Sequence, residues 1–362
     1  MGEWKEYKLG DVAEIIKDSY IPDGSNKYAY IGLEHIEQAT LRLNSVGVSS
    51  DVTSNKSKFK PNDILFGKLR PYFRKVVSPK FEGICSTDIW VFRAKNNIDQ
   101  NFLFYFLANW DFVNTANNAE SGTRMPRADW SFLKDTEWSI PPLPEQKSIA
   151  SILSSLDDKI DLLHRQNKTL ETLAETLFRQ WFVEETEEGW GTGKLGDVIE
   201  LIYGKALKEE IRSGNGFPVV GSNGIVGYHS EFLVEGPGIV IGRKGTLGKV
   251  IYLFENFFPI DTTYFIKSKI NEDGLFYEYF LLKTLNFEDM NSDSAVPGLN
   301  RDIALSTEIK RPNPDKVLQF NEFAKPLFQK VRKNEAQIRT LTRLRDTILP
   351  KLMSGEVRVK DA

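Results

Sequence analysis

The chain has 362 residues, of which 41% are hydrophobic and 27% are charged, and its formal net charge at pH 7 is −3. This composition is typical of a soluble protein long enough for two or three domains, each with its own core. The single cysteine, Cys85, excludes a disulfide framework and a thiolate metal cluster. With neither a signal peptide nor an apolar run of membrane length, we expect a cytoplasmic protein and no membrane contact.

The charges are segregated along the chain. Residues 56–80 carry eight basic side chains against Asp63 alone, and residues 325–351 carry eight more against two acidic ones. Because a partner responds to the local field rather than to the total charge, the small negative net charge does not exclude nucleic acid.

The first part of the chain predicts a mixed domain. Residues 28–36 (YAYIGLEHI), 63–67 (DILFG) and 84–92 (ICSTDIWVF) are rich in β-branched and aromatic residues, which is typical of strands, and residues 100–117 predict a helix. The segment PPLPEQ, beginning at Pro141, ends this domain, because prolines suit the first turn of a following helix.

A long heptad repeat runs from residue 145 to 182. Nine of its ten a and d positions are apolar, and the tenth is Asn167: a is Leu153, Ile160, Asn167, Ala174 and Trp181, and d is Ile149, Leu156, Leu163, Leu170 and Leu177. An apolar period of 3.5 residues sustained this long predicts a helix that pairs with another helix.

The sequence then repeats itself. The opening WKEYKLGD at residues 4–11 returns as WGTGKLGD at 190–197, an offset of 186 residues. Residues 217–221, 238–242 and 259–266 predict strands, and residues 272–290 predict a helix. The chain is therefore a tandem duplication in which an α+β domain precedes each long helix.

The second heptad repeat lies 171 residues after the first, at 315–353. In an antiparallel pair whose facing residue numbers sum to 501, Asn167 lies opposite Asn334, which would fix the register. Arg345 then faces Leu156, and we expect its stem to run outward. Pro326 predicts a kink or restart, and Pro350 predicts the end of the helix. Alternatively, the two helices pack on separate cores.

Catalytic motifs are missing from the sequence. The three histidines are scattered, and none lies near a serine or cysteine in a nucleophile–base pattern. GRKGTLG at 242–248 lacks the order of a phosphate-binding loop, and the motifs of an adenine methyltransferase are absent. We expect no catalytic residue and no metal site in this chain.

Two basic loops in each half are the candidate DNA-binding elements: residues 66–75 and 121–130 in the first, and 241–249 and 294–302 in the second. Arginine pairs with guanine and asparagine with adenine in the major groove. The candidate residues in these loops are Lys68, Arg70, Arg74, Lys75, Arg124, Arg127, Arg243, Lys244, Asn300 and Arg301, and Asn223 is a further candidate outside them. The alternative is that these loops are only solvated surface.

Both heptad helices carry apolar residues beyond the a/d seam. The first helix has Ile152, Leu173, Phe178 and Phe182, and the second has their counterparts Phe323, Leu344, Leu349 and Met353. A patch repeated in both halves predicts two copies of one protein partner. Packing of each helix on its own domain is the alternative.

These features together resemble a known family. The repeated W-x-x-x-K-L-G-D opening, the helix segment LPEQKSIASILSSLDDKID at 143–161 and the ending RDTILPKLMSGE at 345–356 resemble the specificity subunit of type I DNA restriction-modification systems. The resemblance covers essentially the whole chain. In that family each target-recognition domain reads one half of a bipartite, asymmetric DNA target, and the helices set the spacing and dock two methyltransferase subunits.

The resemblance implies a non-catalytic chain that acts with double-stranded DNA, two methyltransferase subunits and a restriction translocase-nuclease. S-adenosylmethionine would belong to the methyltransferase, and ATP and Mg to the restriction subunit. The expected α+β fold has two tandem α/β target-recognition domains at 1–143 and 185–313, joined by antiparallel coiled-coil helices at 144–184 and 314–362 in a pseudo-twofold arrangement. A coiled-coil protein-binding scaffold without DNA contact is the alternative, and an enzyme with a cryptic site is a third reading.

Overall fold

A computed structural model describes residues 3–23, 27–95, 97–118, 125–185, 189–270, 274–287, 290 and 298–359. The chain divides into two compact units. Unit 1 contains residues 1–162 and 338–362, and unit 2 contains residues 163–337. Each unit therefore holds one sheet-rich segment and a part of both long helices.

Unit 1 is built from short strands and three short sheets. Its strands are β1 (Lys5–Lys8), β2 (Ala13–Ile15), β3 (Ser19–Tyr20), β4 (Ala29–Ile31), β5 (Gly47–Val48), β6 (Lys56–Phe59), β7 (Ile64–Gly67), β8 (Val76–Val77), β9 (Gly83–Ser86), β10 (Ile89–Ala94) and β11 (Glu137–Ile140). Its helices are α1 (Leu9–Val12), α2 (Gln100–Ala108), α3 (Trp110–Asn118), α4 (Trp130–Leu133) and the beginning of α5 (Leu143–Arg179). The sheets have the orders β1-β11, β2-β10-β7-β8 and β3-β6-β9-β4-β5.

The core of unit 1 is rich in aromatic rings. Phe66 of β7 lies edge-on to Phe112 of α3, with ring centroids 5.5 Å apart. At the start of α5, the buried Gln146 side chain accepts a hydrogen bond from the backbone N–H of Asp99 at 2.8 Å and donates one to the carbonyl of Pro141 at 2.9 Å. Because Asp99 also caps α2, this glutamine fixes the first turn of α5 to the sheet domain.

Unit 2 contains β12 (Gly191–Lys194), β13 (Ile199–Tyr203), β14 (Phe217–Gly221), β15 (Gly224–His229), β16 (Gly238–Gly242), β17 (Val250–Leu253), β18 (Phe258–Pro259), β19 (Thr263–Ser268) and β20 (Glu308–Arg311). Its helices are α6 (Leu195–Val198), α7 (Phe276–Thr284), α8 (Arg301–Ser306) and most of α9 (Pro314–Met353). The sheets have the orders β12-β20, β13-β19-β16-β17 and β15-β14-β18.

The two units share a topology. The antiparallel pair β12-β20 repeats β1-β11, and β13-β19-β16-β17 repeats β2-β10-β7-β8. The tandem duplication and the mixed α/β class predicted from the sequence are confirmed. The units differ in the remaining sheet, which has five strands in unit 1 and three in unit 2 among the described residues.

In unit 2 the helices α5 and α9 run antiparallel. The Asn334 amide donates a hydrogen bond to the amide oxygen of Asn167 at 2.8 Å, and the ring of Trp181 lies 6.4 Å from that of Phe320. Residue numbers therefore rise along α5 as they fall along α9. The predicted register, with Asn167 opposite Asn334, is confirmed.

The helices also pair in unit 1, where Ile149 and Leu153 of α5 share a core with Leu352 of α9. Here one seam prediction is wrong. The Arg345 side chain does not run outward: it is buried and lies 2.7 Å from the carboxylate of Asp157. A buried guanidinium is retained because carboxylates neutralise it.

The predicted restart at Pro326 and the predicted helix end at Pro350 are also wrong. The helix runs unbroken from Pro314 to Met353, through Pro326 and past Pro350. Pro326 is exposed, so water can satisfy the carbonyl group that loses its helical partner. The helix ends later, where the N–H of Ser354 bonds to the carbonyl of Pro350 and Gly355 has a φ of 74°.

Several other predicted elements are correct in type but wrong in extent. Residues 84–92 form two strands, β9 and β10, and residues 100–117 form two helices that break at Asn109. Residues 259–266 divide between β18 and β19, and the strand predicted at 28–36 shortens to β4. The helix predicted at 272–290 is α7, and residues 271–273 and 288–289 lie outside the described part.

Candidate nucleic-acid interface

Unit 1 brings its two predicted basic loops together. After β7 the backbone of Leu69 pairs with that of Arg127 in an isolated β-bridge. On either side, the N–H of Ala128 bonds to the carbonyl of Lys68 at 2.9 Å, and the N–H of Arg70 bonds to the carbonyl of Pro126 at 2.8 Å. Residues 68–73 and 125–128, called loop pair 1 below, therefore form one continuous surface.

The side chains of loop pair 1 are basic and aromatic. Lys68 and Arg70 are half-buried, while Arg127 is exposed and lies 3.3 Å from the carboxylate of Asp88. Tyr72 is 41% exposed, so its ring is available to a ligand. Mixed cationic and planar groups of this kind suit contacts with phosphates and bases.

The one acidic residue of the basic segment is removed from this surface. Asp63 is buried, and its carboxylate accepts two hydrogen bonds from the guanidinium of Arg93, at 2.8 and 2.7 Å. The Asp63 charge is thereby neutralised inside the fold. Asp63 therefore does not offset the cationic side chains of loop pair 1.

Two predicted DNA contacts in this region point inward. Arg74 is 1% exposed, and its Nε donates a hydrogen bond to the carbonyl of Ala108 at 2.6 Å. The prediction that Arg74 binds DNA is therefore wrong, because a buried guanidinium cannot reach a phosphate. Lys75 is half-buried and its Nζ bonds to the carbonyl of Leu33. Loss of hydration lowers the pKa of both groups. Arg124 lies outside the described residues.

Unit 2 repeats the arrangement with different residues. Lys244 forms an isolated bridge with Gly298, and the N–H of Leu299 bonds to the carbonyl of Arg243 at 2.9 Å. Residues 243–249 and 298–301, called loop pair 2 below, thus meet as the loops of loop pair 1 do. The β14–β15 turn joins them, because the Lys249 ammonium bonds to the side-chain oxygen of Asn223 at 3.0 Å.

Two arginines of loop pair 2 lie against one tyrosine. The guanidinium of Arg243 is 5.0 Å from the ring centroid of Tyr203, and that of Arg301 is 6.0 Å from it. Such cation–π contacts hold the guanidinium groups in place, and Arg243 is held further by a hydrogen bond that it donates to the carbonyl of Asp261 at 3.1 Å. Beneath them, burial raises the pKa of the Tyr264 phenol, which keeps this group neutral.

Lys244, Asn223, Asn300 and Arg301 are all exposed. The Asn300 side-chain oxygen caps α8 by accepting hydrogen bonds from the N–H groups of Asp302 and Ile303. This oxygen is engaged within the fold, so Asn300 fixes the start of the helix that carries Arg301.

Tyr203 is a residue that sequence reasoning missed. It is 48% exposed, ends β13 and immediately precedes Gly204. An aromatic residue where a strand gives way to glycine is a weak signal by itself. Only the fold brings it to Arg243 and Arg301, which are 40 and 98 residues further along the chain.

The predicted apolar partner patch is only half exposed. Ile152, Leu173, Phe323 and Leu344 are exposed, at 38, 49, 38 and 46%. Phe178, Phe182, Leu349 and Met353 are buried in the cores of their units, and the prediction that they contact a partner is wrong. The packing of each helix on its own sheet domain accounts for these four residues.

The described residues include no group of three or more His, Cys, Asp or Glu side chains that could hold a metal ion. Within the same part of the chain, no helix has the length and apolarity needed to cross a membrane. The groups that the two loop pairs present are cationic and aromatic, and their chemistry is recognition of an anionic, base-bearing ligand.

Two similar sheet domains, each with a basic loop pair and a share of an antiparallel helix pair, define a duplicated protein whose two units present similar basic surfaces. The family model described as "Type I restriction modification DNA specificity domain" matches residues 1–172 and 187–337. Because the match covers most of the chain, the protein belongs to this family.

Curated relatives are similar along much of their length. The chain is 28% identical to the type I restriction enzyme MjaIX specificity subunit of Methanocaldococcus jannaschii, over 74% of this chain and 71% of that protein. It is 22% identical to the HindI specificity subunit of Haemophilus influenzae, over 99% and 100%. The crystal structure of a type I restriction-modification S subunit from M. genitalium has the same fold, with a TM-score of 0.57, 20% identity, and coverage of 97% of this chain and 96% of that one.

Proposed function

We propose that unit 1 and unit 2 each read one half of a bipartite DNA target through loop pair 1 and loop pair 2. The observation that carries this proposal is the repeated backbone bridge, Leu69 with Arg127 and Lys244 with Gly298, around which both units gather basic side chains. The two units share this backbone arrangement but carry different side chains on it, and recognition of two different half-sites requires such a difference.

The chain acts as the non-catalytic member of a larger assembly in the cytoplasm. Two methyltransferase subunits supply S-adenosylmethionine chemistry, and a restriction translocase-nuclease supplies ATP- and Mg-dependent steps. The helices α5 and α9 set the distance between half-sites: 37 residues of α5 correspond to roughly 55 Å, which falls between one and two turns of duplex, about 35 to 70 Å. The exposed apolar residues Ile152, Leu173, Phe323 and Leu344 support docking of the methyltransferase subunits.

Single substitutions in the two loop pairs test the proposal in the chain assembled with its methyltransferase subunits. We expect Arg70→Ala to weaken discrimination at one half-site and Arg301→Ala at the other, each by roughly tenfold, because a lost base contact costs about 1–3 kcal/mol. The measurement is the Kd for duplexes in which one half of the target, mapped beforehand from methylated genomic DNA, has been altered.

Lys310→Ala is the matched control, since Lys310 is an exposed cation of β20 outside both loop pairs. DNA affinity should also fall steeply as salt rises, because phosphate contacts release counterions. A protein-binding scaffold without DNA contact would show neither the salt dependence nor the effect of the two arginines, and that result would refute the proposal.

A further inference from the structure

A network of two buried guanidinium groups and two half-buried carboxylates joins the recognition domain of unit 1 to its helix pair. Arg345 of α9 lies 2.7 Å from Asp157 of α5 and 3.0 Å from its own neighbour Asp346. Asp346 is also 3.4 Å from the guanidinium of Arg74, which follows loop pair 1. Tyr105 completes the network by donating a hydrogen bond to Asp157 at 2.8 Å. Two cations and two anions balance, so the network is neutral as a whole.

The network fixes the backbone that carries the recognition residues. Arg70 and Arg74 flank the turn Pro71–Phe73, and both have left-handed backbones, with φ of 52° and 49°. Residues other than glycine adopt this conformation only when their surroundings impose it. The bonds of Arg74 to Ala108 and Asp346 supply that constraint at one end of the turn.

In unit 2 the corresponding turn has glycine in place of Arg74. The N–H of Gly67 donates a hydrogen bond to the carbonyl of Lys75, and in unit 2 the N–H of Gly242 donates one to the carbonyl of Lys249. Lys249 therefore corresponds to Lys75, and the preceding residue, Gly248, corresponds to Arg74. Gly248 also has a positive φ, 67°, which costs glycine little. Its conformation therefore needs no anchoring side chain.

Two of the three helix positions also lose their charge in unit 2, while Glu175, the counterpart of Asp346, stays acidic and pairs with Lys283 at 2.8 Å. The offset of 171 residues between the helices places Phe328 where unit 1 has Asp157, and Ala174 where it has Arg345. Tyr279, the counterpart of Tyr105, lies 5.8 Å from Phe328 by ring centroids. The same tyrosine position thus contacts a carboxylate in unit 1 and an aromatic ring in unit 2.

We propose that Arg74, Arg345, Asp157 and Asp346 are positioning residues for unit 1 alone: they hold loop pair 1 in its reading conformation and thereby set discrimination at one half of the DNA target. This inference rests on the proposed function of loop pair 1. None of the four residues needs to touch DNA. The four residues influence DNA recognition by fixing the positions of Arg70 and Lys68. Arg70 lies at the opposite end of the turn from Arg74, and Lys68 precedes it by two residues.

Two variants of the chain assembled with its methyltransferase subunits test the inference. Asp346→Asn keeps the side-chain shape but removes the charge, and Arg74→Ala removes the guanidinium that anchors the turn while leaving a non-glycine residue at a positive φ. For each, Kd is measured on the intact target and on duplexes altered in one half. We expect roughly tenfold weaker discrimination at the half-site that Arg70→Ala identifies as belonging to unit 1, and less than about twofold change at the other.

Asp158→Asn is the control, because Asp158 is an exposed acidic residue of α5 beside the network. Asp346→Glu should restore discrimination. A purely structural role would lower the thermal midpoint and the amount of active complex while leaving both discrimination ratios unchanged, and that outcome would overturn the inference. Equal loss at both half-sites would overturn it too. Failure of the proposed function is distinguishable, since the wild-type complex would then discriminate neither half-site.

Discussion

Glu278 lies in the core of unit 2 with none of its surface exposed. One carboxylate oxygen accepts a hydrogen bond from the Ser268 hydroxyl at 2.5 Å, and the other has no hydrogen-bond partner among the described residues. Burial raises the pKa of this carboxyl, and the Ser268 bond opposes the rise only in part. Ionisation of Glu278 therefore destabilises the folded state relative to the unfolded state.

Replacing Glu278 by Gln should stabilise the protein in a pH-dependent way. The folded-state pKa lies above the unfolded value of 4.5, so wild-type stability falls as pH rises through this window, while below it the carboxyl is protonated in both states. We expect the free energy of unfolding of Glu278→Gln, relative to wild type, to increase as the pH rises above 4.5.

Denaturant titrations at several pH values measure this difference, with Glu308→Gln, at an exposed position of β20, as the control. A stability difference that does not change with pH would contradict the burial of an ionisable Glu278.

Charged residues on a predicted seam or loop were the hardest to assign from sequence. Arg74 lies in a basic segment and Arg345 at a heptad position, and both patterns indicated solvent. Their burial depends on Asp346 and Asp157, which a linear pattern cannot pair with them. Asn167 and Asn334 were assigned correctly, because the antiparallel rule supplies the partner of each.

At the scale of elements, α9 shows how tertiary packing overrides a local breaker. Ala324 and Phe328, on either side of Pro326, are both buried in the core of unit 2. Their burial stabilises the helical conformation more than the missing backbone hydrogen bond destabilises it. The helix therefore continues through Pro326, where the sequence predicted a kink or a restart.

Pro326→Ala should consequently raise the free energy of unfolding. Alanine restores the missing N–H donor, removes the ring clash and has the best helix propensity, so we expect a gain of about 1–3 kcal/mol. Chemical denaturation measures the change, and Lys330→Ala serves as the control at another exposed position of α9. Loss of stability would mean that the fold requires the local geometry of the proline.

Element boundaries were less predictable than element types. The run of apolar and aromatic residues at 84–92 hides the turn at Thr87 and Asp88, where the chain leaves one sheet for another. Apolar periodicity indicates which residues are buried. Because both strands are buried, the sequence pattern does not show that the chain passes from one sheet to another between them.

At the scale of the whole molecule, the duplication was the most informative feature of the sequence. The repeated opening and the 171-residue helix offset predicted two units of one topology, which β1-β11 and β12-β20 confirm. The sheet orders themselves could not be predicted, since pairing between distant strands depends on contacts that no local pattern encodes. The bridges that join each loop pair are long-range contacts of the same kind.

The central claim is that each unit reads its own half of a DNA target. The most direct test replaces residues 1–140 with the corresponding domain of another specificity subunit, keeps α5, unit 2 and α9, and maps the methylated sequence in cells that supply the methyltransferase subunits. The account predicts a new motif in which one half and the spacing between the halves are retained and only the other half changes. A motif that changes in both halves, or in neither, would contradict it.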